Sequence, residues 1–481
     1  MNVGVVGLLS LLGVPLVAGS AVLAAMGVRR AHDRLAYLGW ACLAGHLVVA
    51  LVMLGALAAR LPLRAAWWSP VLLVASLAVH AVARARARPE DDSVATGAGV
   101  EPGAAAAATR GPRWERVLFR VVVAAVVARA VFTAILGNLY LVTISDEATI
   151  WGSKAWALYQ AGSLTAPVPM ISAAHWDYPL LNPLLQVWGM ANVGGLTQLE
   201  NRMPLQACFV ALLLVAAAAL RRAARPALAA ALLLLFVTCT DYWDQARGAM
   251  SEQLVALGLI TLLDAWLRHQ ERPAGCWLRL ACVAAAFLAW SKNEGLFYLA
   301  LALPCLAAFG LARAGGARRA LRDAGAWLAL PVAIVVVQWI FNRAHGYTND
   351  IVDRAVVHAG FGHNLQQRLG PVLSAFSEAL FTNPRDTQLL VALLLLLALA
   401  GGRRLWRSAA AGPVLTVLVA TAGLMIPYLV TTIDVDWHLS TSLVRVLTQL
   451  GPSAALGVAA ALAVLLPWSA PAASSAAAPA R

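Results

Sequence analysis

The sequence is poor in charged side chains, and this shortage excludes most classes of soluble protein. Only 12% of the 481 residues are charged, whereas 61% are hydrophobic and the mean hydropathy is +0.74. Soluble domains carry about 25% charged and about 45–50% apolar residues. We therefore expect a chain embedded in a membrane. Its formal net charge of +13 then indicates basic loops at the membrane surface, with no nucleic-acid partner.

Cysteine is also scarce, and several catalytic signatures are missing. The six cysteines form no CxxC pair, which predicts neither structural zinc nor a disulfide framework. The sequence contains no GxxxxGK[ST], no GxGxxG after a strand, no HExxH and no GxSxG. Nucleotide phosphate binding, zinc proteolysis and serine hydrolysis therefore lack their usual motifs.

Long apolar runs are abundant. Since a spanning helix needs roughly 20 apolar residues, the runs predict about 13 membrane spans. The predicted spans are 3–27, 36–59, 66–84, 117–142, 203–220, 226–241, 249–267, 277–291, 295–312, 325–342, 387–401, 411–430 and 442–467. A further run over 178–193 is short and contains two prolines, which predicts a membrane-surface or re-entrant helix.

Arginine clusters between the spans predict the orientation of the chain. They follow six of the spans, over 29–34, 84–88, 221–225, 268–279, 313–322 and 403–407. Alternating spans place all six clusters on one side, which the positive-inside rule makes the cytoplasmic side. The first apolar run lacks a basic segment before it, so we expect a retained helix and no cleaved signal peptide.

Composition also predicts a division of the chain. Residues 1–84 form a three-helix membrane unit, and 85–114 are expected to be a disordered cytoplasmic linker because they lack apolar periodicity. Residues 115–467 form the main membrane core, and the Ala- and Pro-rich residues 468–481 a disordered tail.

Polar and acidic residues collect on the opposite, outer side. They occur in five segments, 145–147, 175–178, 241–252, 291–294 and 434–445. Each segment alone has a structural interpretation, such as a helix cap, an interfacial ion pair or a snorkelling arginine. Together they favour a functional site, because ionisable groups at membrane depth are costly.

Carboxylates beside cations restrict the chemistry of such a site. A carboxylate accepts a proton from an attacking hydroxyl, and Lys, Arg or His stabilises a departing phosphate. This combination suits transfer of a sugar from a lipid phosphate to a hydroxyl at the outer membrane surface.

Four motifs carry a family resemblance. They are SDEATIWGSKAWALY (145–159), HWDYPLLNPLLQVWG (175–189), WSKNEG (290–295) and DVDWHLSTSLVRVLTQLGP (434–452). Over about 115–467 the chain resembles the GT-C superfamily of polytopic glycosyltransferases. Within it, the chain is most similar to bacterial relatives of the protein O-mannosyltransferases and of the lipid A aminoarabinose transferases.

The resemblance implies an all-α integral membrane fold, GT-C-like, with extracytoplasmic amphipathic surface helices in the first core loop. It implies an inverting glycosyltransferase that moves a hexose or pentose from a polyprenyl-phosphate donor to a hydroxyl of a lipid, glycan or protein. The expected location is the bacterial inner membrane, with the active site facing the periplasm.

The resemblance also implies roles for individual residues. Asp146 is the expected catalytic base, and Glu147 a helper or metal contact. The expected donor-phosphate ligands are Lys292, His438, Arg445 and Arg247. The expected sugar or acceptor contacts are His175, Asp177, Tyr178, Asn293, Glu294 and Asp436. No cofactor is required, although a divalent metal on Asp146 and Glu147 is compatible with hard oxygen ligands.

Two other functions fit a polytopic chain. A transporter or lipid flippase predicts ionisable residues near mid-membrane and broken helices in paired halves. A non-catalytic scaffold predicts scattered polar residues. Acidic residues at one end of the spans, with no evident internal repeat, favour the transferase.

Overall fold

The computed structural model describes residues 5–86, 111–139, 146–164, 175–197, 200–310, 316–349, 354–382, 386–431 and 433–466. Within these ranges the chain forms helices and no strand. A helix satisfies its own backbone hydrogen bonds, as a chain without water around it requires. The fold is all-α, and the predicted all-helical class is confirmed.

Three long helices begin the chain. A helical turn (Val5–Leu8) and a π-helical segment (Leu9–Gly13) lead directly into the first of them. The three helices are α1 (Val14–Met26), α2 (Arg34–Ala58) and α3 (Ala65–Arg86). The carboxylate of Asp33 caps the start of α2 by accepting two backbone N–H bonds, which satisfies donors that the first helical turn leaves free.

The remaining helices form the main body. They are α4 (Arg113–Leu139), α5 (Ser153–Ala161), α6 (Leu181–Val193), α7 (Met203–Ala223), α8 (Pro226–Thr238), α9 (Thr240–Arg247), α10 (Glu252–Glu271), α11 (Gly275–Ser291), α12 (Asn293–Gly310), α13 (Ala317–Ala324), α14 (Ala329–His345), α15 (Arg354–Ser377), α16 (Asp386–Ala400), α17 (Gly402–Trp406), α18 (Ala411–Gly423), α19 (Met425–Val430) and α20 (Val435–Leu465). Short π-helical segments at Glu147–Gly152 and Glu378–Thr382 and 3-10 turns at Glu200–Arg202 and Gly325–Leu328 join some of them.

The chain is a multi-pass membrane protein. Nine helices in the described ranges are long and apolar enough to cross a membrane, and two bent helix pairs raise the number to eleven. The predicted count of about 13 is therefore not confirmed. Two predicted spans explain the difference: α10 carries charged residues such as Asp264 and Arg268, and α11 has only 17 residues.

The N-terminal helices pack on the main body. Helix α2 lies against α1, α6 and α7, and one hydrophobic core runs from Leu11 to Ala461. The predicted three-helix unit thus shares its core with the rest of the bundle. Most of the predicted linker, residues 87–110, and the predicted tail lie outside the described residues.

Helix α6 is the predicted surface or re-entrant helix of 178–193. It is enclosed by protein, since every residue from Leu181 to Ala191 is buried, and it contacts α2 and α7. Its polar side chains Asn182 and Gln186 are buried as well, and both are hydrogen-bonded inside the protein, as buried polar groups require. The predicted membrane-surface position of this helix is therefore wrong. Helix α15 was not predicted, because its mixed composition gives no long apolar run.

One end of the bundle holds a buried ionic network, which we call the Asp264 network. The Asp264 carboxylate accepts hydrogen bonds from Arg268 at 2.8 Å and from Arg222 at 2.9 Å, and Arg268 also forms an ion pair with Asp33 at 3.2 Å. These residues lie at the arginine-rich loops and tie α2, α7 and α10 together.

Gly45 permits close packing of α1 and α2, and we expect Gly45→Ala to destabilise the protein. A Cβ at Gly45 would lie 1.7 Å from the carbonyl oxygen of Pro15, so the two helices must separate. Overpacking of this kind costs about 1–3 kcal/mol. The measurement is the thermal unfolding of purified protein in detergent.

The matched control is Gly55→Ala on the same helix, where an added Cβ meets nothing within 4 Å. We expect this variant to unfold at or above the wild-type temperature because alanine favours the helix. Equal Tm values for the two variants would contradict the proposed contact.

Candidate functional site

A carboxylate–guanidinium pair joins two distant segments of the chain. Asp146 directly precedes the π-helical segment at Glu147–Gly152, and Arg445 lies on α20. The two side chains form an ion pair and are 30% and 29% exposed. The guanidinium Nε of Arg445 also lies 3.3 Å from Glu252 Oε1. Arg445 therefore lies between two carboxylates.

Lys292 contributes a second cation. Its Nζ lies 3.2 Å from Glu252 Oε1 and 2.8 Å from Glu294 Oε1. Burial lowers the pKa of Lys292, but the two carboxylates outweigh it and hold that pKa above its usual value. The lysine is consequently charged at neutral pH. We call Asp146, Glu252, Lys292, Glu294 and Arg445 the ionic cluster.

Aromatic rings cover one side of the ionic cluster. The ring of Tyr178 stacks on His175 at 4.4 Å and on Trp151 at 5.3 Å, and the Lys292 ammonium lies 5.5 Å from its centroid. Burial, followed by the carboxylate of Glu294, raises the pKa of Tyr178 well above its usual value. The hydroxyl therefore stays protonated and acts as a neutral donor.

Asp177 is held by amide side chains. Its Oδ2 accepts hydrogen bonds from Asn293 at 2.7 Å and from Asn349 at 2.8 Å, and its backbone oxygen accepts one from Asn342 at 3.0 Å. Asn342 and Asn349 were not predicted as site residues, because they lie far along the chain in a segment without a motif. The contacts fix the turn that carries Tyr178.

Lys154 is a buried lysine that the sequence analysis did not single out. Its ammonium donates to the backbone oxygens of Trp176 at 2.9 Å and Tyr178 at 3.0 Å. Burial lowers the pKa of Lys154 to about 7, against an opposing effect of Asp177. The position of Lys154 inside the first motif, SDEATIWGSK, is the sequence feature that could have identified it as a site residue.

Glu147 is bound on both of its carboxylate oxygens. It pairs with Arg202, whose Nη2 lies 3.0 Å from Oε2, and it accepts the backbone N–H of Ala249 at 2.9 Å. Arg202 also donates to the carbonyl of Gly137. The roles of Glu147 as catalytic helper and metal contact stay predictions. The observed geometry fits an anchor that positions the neighbouring Asp146.

Three other predicted residues remain to be placed. His438 is buried, and its ring centroid lies 4.6 Å from that of Tyr428. Arg247 is exposed and pairs with Asp244 at 2.6 Å, and no ion pair joins it to the ionic cluster within the described ranges. Asp436 is exposed in the first turn of α20.

A cavity of about 1080 Å³ lies elsewhere, between the α2–α3 loop and the ends of α5 and α6. Its polar lining consists of Arg60, Arg64, Tyr159, Ser163 and Asn192. None of the predicted site residues is among its lining residues, so the ionic cluster is a separate feature.

Comparisons with known proteins give one structural likeness. No family model matches the sequence, and no curated protein matches it. The structure is similar to the crystal structure of ArnT from Cupriavidus metallidurans bound to undecaprenyl phosphate, with a TM-score of 0.44 and 17% identity. The match covers 70% of this chain and 59% of that chain. A likeness of this size assigns no role to any residue.

Glu147→Gln is expected to destabilise the protein strongly. The substitution leaves the buried Arg202 guanidinium without its counter-charge, which typically costs about 3–5 kcal/mol. The measurement is the shift of the unfolding midpoint. Asp244→Asn breaks an ion pair whose members are 52% and 58% exposed, and it serves as the control, with an expected cost of about 0–1 kcal/mol. Similar shifts for both variants would contradict the anchoring role.

The lowered pKa of Lys154 predicts that the free energy of unfolding rises with pH. Its pKa is about 7 in the folded protein against 10.5 for an ordinary lysine, so between these values the unfolded chain binds more protons. Stability therefore rises with pH through this window. Lys154→Met removes the titration, and we expect a shallower rise of Tm from about pH 7 to pH 9. Parallel Tm–pH curves for wild type and variant would show that Lys154 keeps its ordinary pKa.

Proposed function

We propose that this protein is an inverting glycosyltransferase that uses a polyprenyl-phosphate-linked sugar and acts at the extracytoplasmic face of a bacterial inner membrane. The ionic cluster is the observation that carries the proposal. It combines a partly exposed carboxylate, Asp146, with two cations that suit a phosphate, Arg445 and Lys292.

Arg445 makes the first contact with the donor phosphate in this proposal. It is the more exposed of the two cations, and its planar guanidinium matches phosphate oxygens in a bidentate way. Lys292 lies deeper, at 3% exposure, and adds positive charge behind the guanidinium. A lipid donor would approach from within the bilayer, so only its head group needs to reach the cluster.

Binding of the phosphate also prepares the base. The donor competes with Asp146 for the Arg445 guanidinium, and this competition frees a carboxylate oxygen. Asp146 then accepts the proton of the acceptor hydroxyl. The hydroxyl oxygen bonds to the anomeric carbon while the bond from that carbon to the phosphate oxygen breaks, and polyprenyl phosphate leaves. A single displacement inverts the anomeric configuration.

Charge balance bears on whether the reaction needs a metal. The three carboxylates and two cations of the ionic cluster give it a formal charge of −1, and a phosphodiester donor adds another negative charge. A divalent cation with oxygen ligands would offset this excess. We therefore expect added Mg²⁺ or Mn²⁺ to raise transfer.

The aromatic stack supplies a surface for the sugar. Tyr178 lies between two rings and next to Lys292. Because Tyr178 and Trp151 are buried, an apolar sugar face packs on the partly exposed ring of His175, and the neighbouring hydroxyl and carboxylate groups fix its orientation. Asp177, whose Oδ2 accepts hydrogen bonds from two amides, holds the aromatic stack in place in this proposal.

Asp146→Asn is expected to lower transfer by about 100-fold or more, because the amide does not accept the proton. The assay uses purified protein in lipid nanodiscs, a panel of radiolabelled polyprenyl-phosphate hexoses and pentoses, and a membrane extract as acceptor source. The matched control is Asp244→Asn, an exposed carboxylate outside the ionic cluster, which should retain activity.

Equal transfer by wild type and Asp146→Asn would remove Asp146 from the role of base. Absence of transfer with every donor, from protein that is monodisperse and folded, would refute the transferase and favour the transporter interpretation. Donor binding is measured separately with Arg445→Gln, for which we expect a higher KM.

A further inference from the structure

Three metal-ligating side chains meet inside the bundle, apart from the ionic cluster. Cys42 and His46 lie one helical turn apart on α2, and Cys208 lies on α7. All three are buried, and their ligand atoms lie within 4.8 Å of one another. In the described part of the chain this is the group of His, Cys, Asp and Glu side chains whose spacing suits a metal ion.

The spacing allows one metal ion to contact all three side chains. The sulfur atoms of Cys42 and Cys208 and one ring nitrogen of His46 lie within 4.8 Å of one another. Zinc binds sulfur at about 2.3 Å and nitrogen at about 2.0–2.1 Å in a tetrahedral arrangement, which places two such ligands roughly 3.5 Å apart.

His46 provides a second, independent observation. Its Nδ1 lies 2.8 Å from the carbonyl oxygen of Cys42, while its Nε2 is buried without a hydrogen-bond partner among the described residues. A neutral imidazole therefore has a polar atom with no use in the protein alone. Buried polar atoms of this kind require an explanation, and a metal ligand role supplies one.

We propose that Cys42, His46 and Cys208 bind one zinc ion. Two thiolates, a neutral imidazole and Zn²⁺ form a site with no net charge, whereas Cu⁺ would leave a charge of −1. Because an uncompensated charge in a low-dielectric interior is costly, the neutral zinc site is favoured. On binding, the two thiols lose their protons, and both protons leave to solvent.

The site would fasten the N-terminal helices to the main body. Helix α2 belongs to the first three helices, and α7 is a central helix of the bundle. A shared metal ion bonds the two directly, in addition to their apolar packing. This role does not depend on the proposed transferase activity, so failure of either proposal leaves the other intact.

The test measures metal in the full-length chain. Protein is expressed with zinc in the medium, purified in nanodiscs in metal-free buffer and analysed by plasma mass spectrometry, with copper measured in parallel. We expect about one zinc per chain and a decrease of about tenfold or more in Cys42→Ser and Cys208→Ser. Cys239→Ser and Cys305→Ser, at buried cysteines outside the group, are matched controls that should keep the metal.

Two further measurements test the ligands directly, one on the wild type and one on a variant that preserves a ligand. X-ray absorption at the zinc edge of the wild type should show two sulfur ligands and at least one nitrogen ligand. Cys208→His, which preserves a ligand, should retain zinc. Wild type that contains no zinc, copper in place of zinc, a Cys42–Cys208 disulfide found by mass spectrometry, or equal zinc in Cys208→Ser and wild type would each overturn the proposal.

Discussion

The guanidinium of Arg445, placed between the carboxylates of Asp146 and Glu252, is the contact on which the arrangement of the site depends. Glu252 begins α10 and also binds Lys292 at the end of α11. One carboxylate therefore connects two cations from separate helices. A charge at membrane depth must be paired, and this requirement draws the first core loop, α10, α11 and α20 to one place. If Arg445 were absent, Asp146 would lose its only ion pair in the described structure.

The sequence predicted which segments of the chain meet better than it predicted their contacts. Arginine loops and acidic segments alternate along the chain, so the spacing of apolar runs was enough to bring Asp146, Lys292 and Arg445 to one face. Sequence could not show that Glu252 pairs with Lys292 and Arg445, since a pairing with Arg247 satisfied the same pattern. Arg247 is paired locally with Asp244, three residues away, because a helix brings such neighbours together without any tertiary contact.

Long-range contacts account for most of what was missed. Glu147 and Arg202 are 55 positions apart, and nothing in either local segment marks them as partners. The cysteines show the same limit. No CxxC motif is present, so the sequence predicted no zinc, yet Cys42 and Cys208 meet because α2 packs on α7. Helices α10 and α11 show a different limit, since charged residues and short length make them marginal by hydropathy while packing still holds them within the bundle.

Buried ion pairs occur at both ends of the bundle, and exposure distinguishes a structural pair from a candidate catalytic one. In the Asp264 network the side chains of Asp264 and Arg268 are 0% and 7% exposed, so no ligand reaches them without unfolding. The Asp146–Arg445 pair is about four times more exposed than Arg268 and rests on the buried pair of Glu252 and Lys292. The contact of Arg445 with the buried Glu252 thus fixes the geometry of the Asp146–Arg445 pair, while the exposed side of the pair stays accessible. In the Asp146–Arg445 pair, a substrate phosphate can replace the protein carboxylate as the counter-ion of Arg445 at little structural cost. In the Asp264 network, removal of a counter-ion leaves a buried charge that neither water nor another side chain solvates.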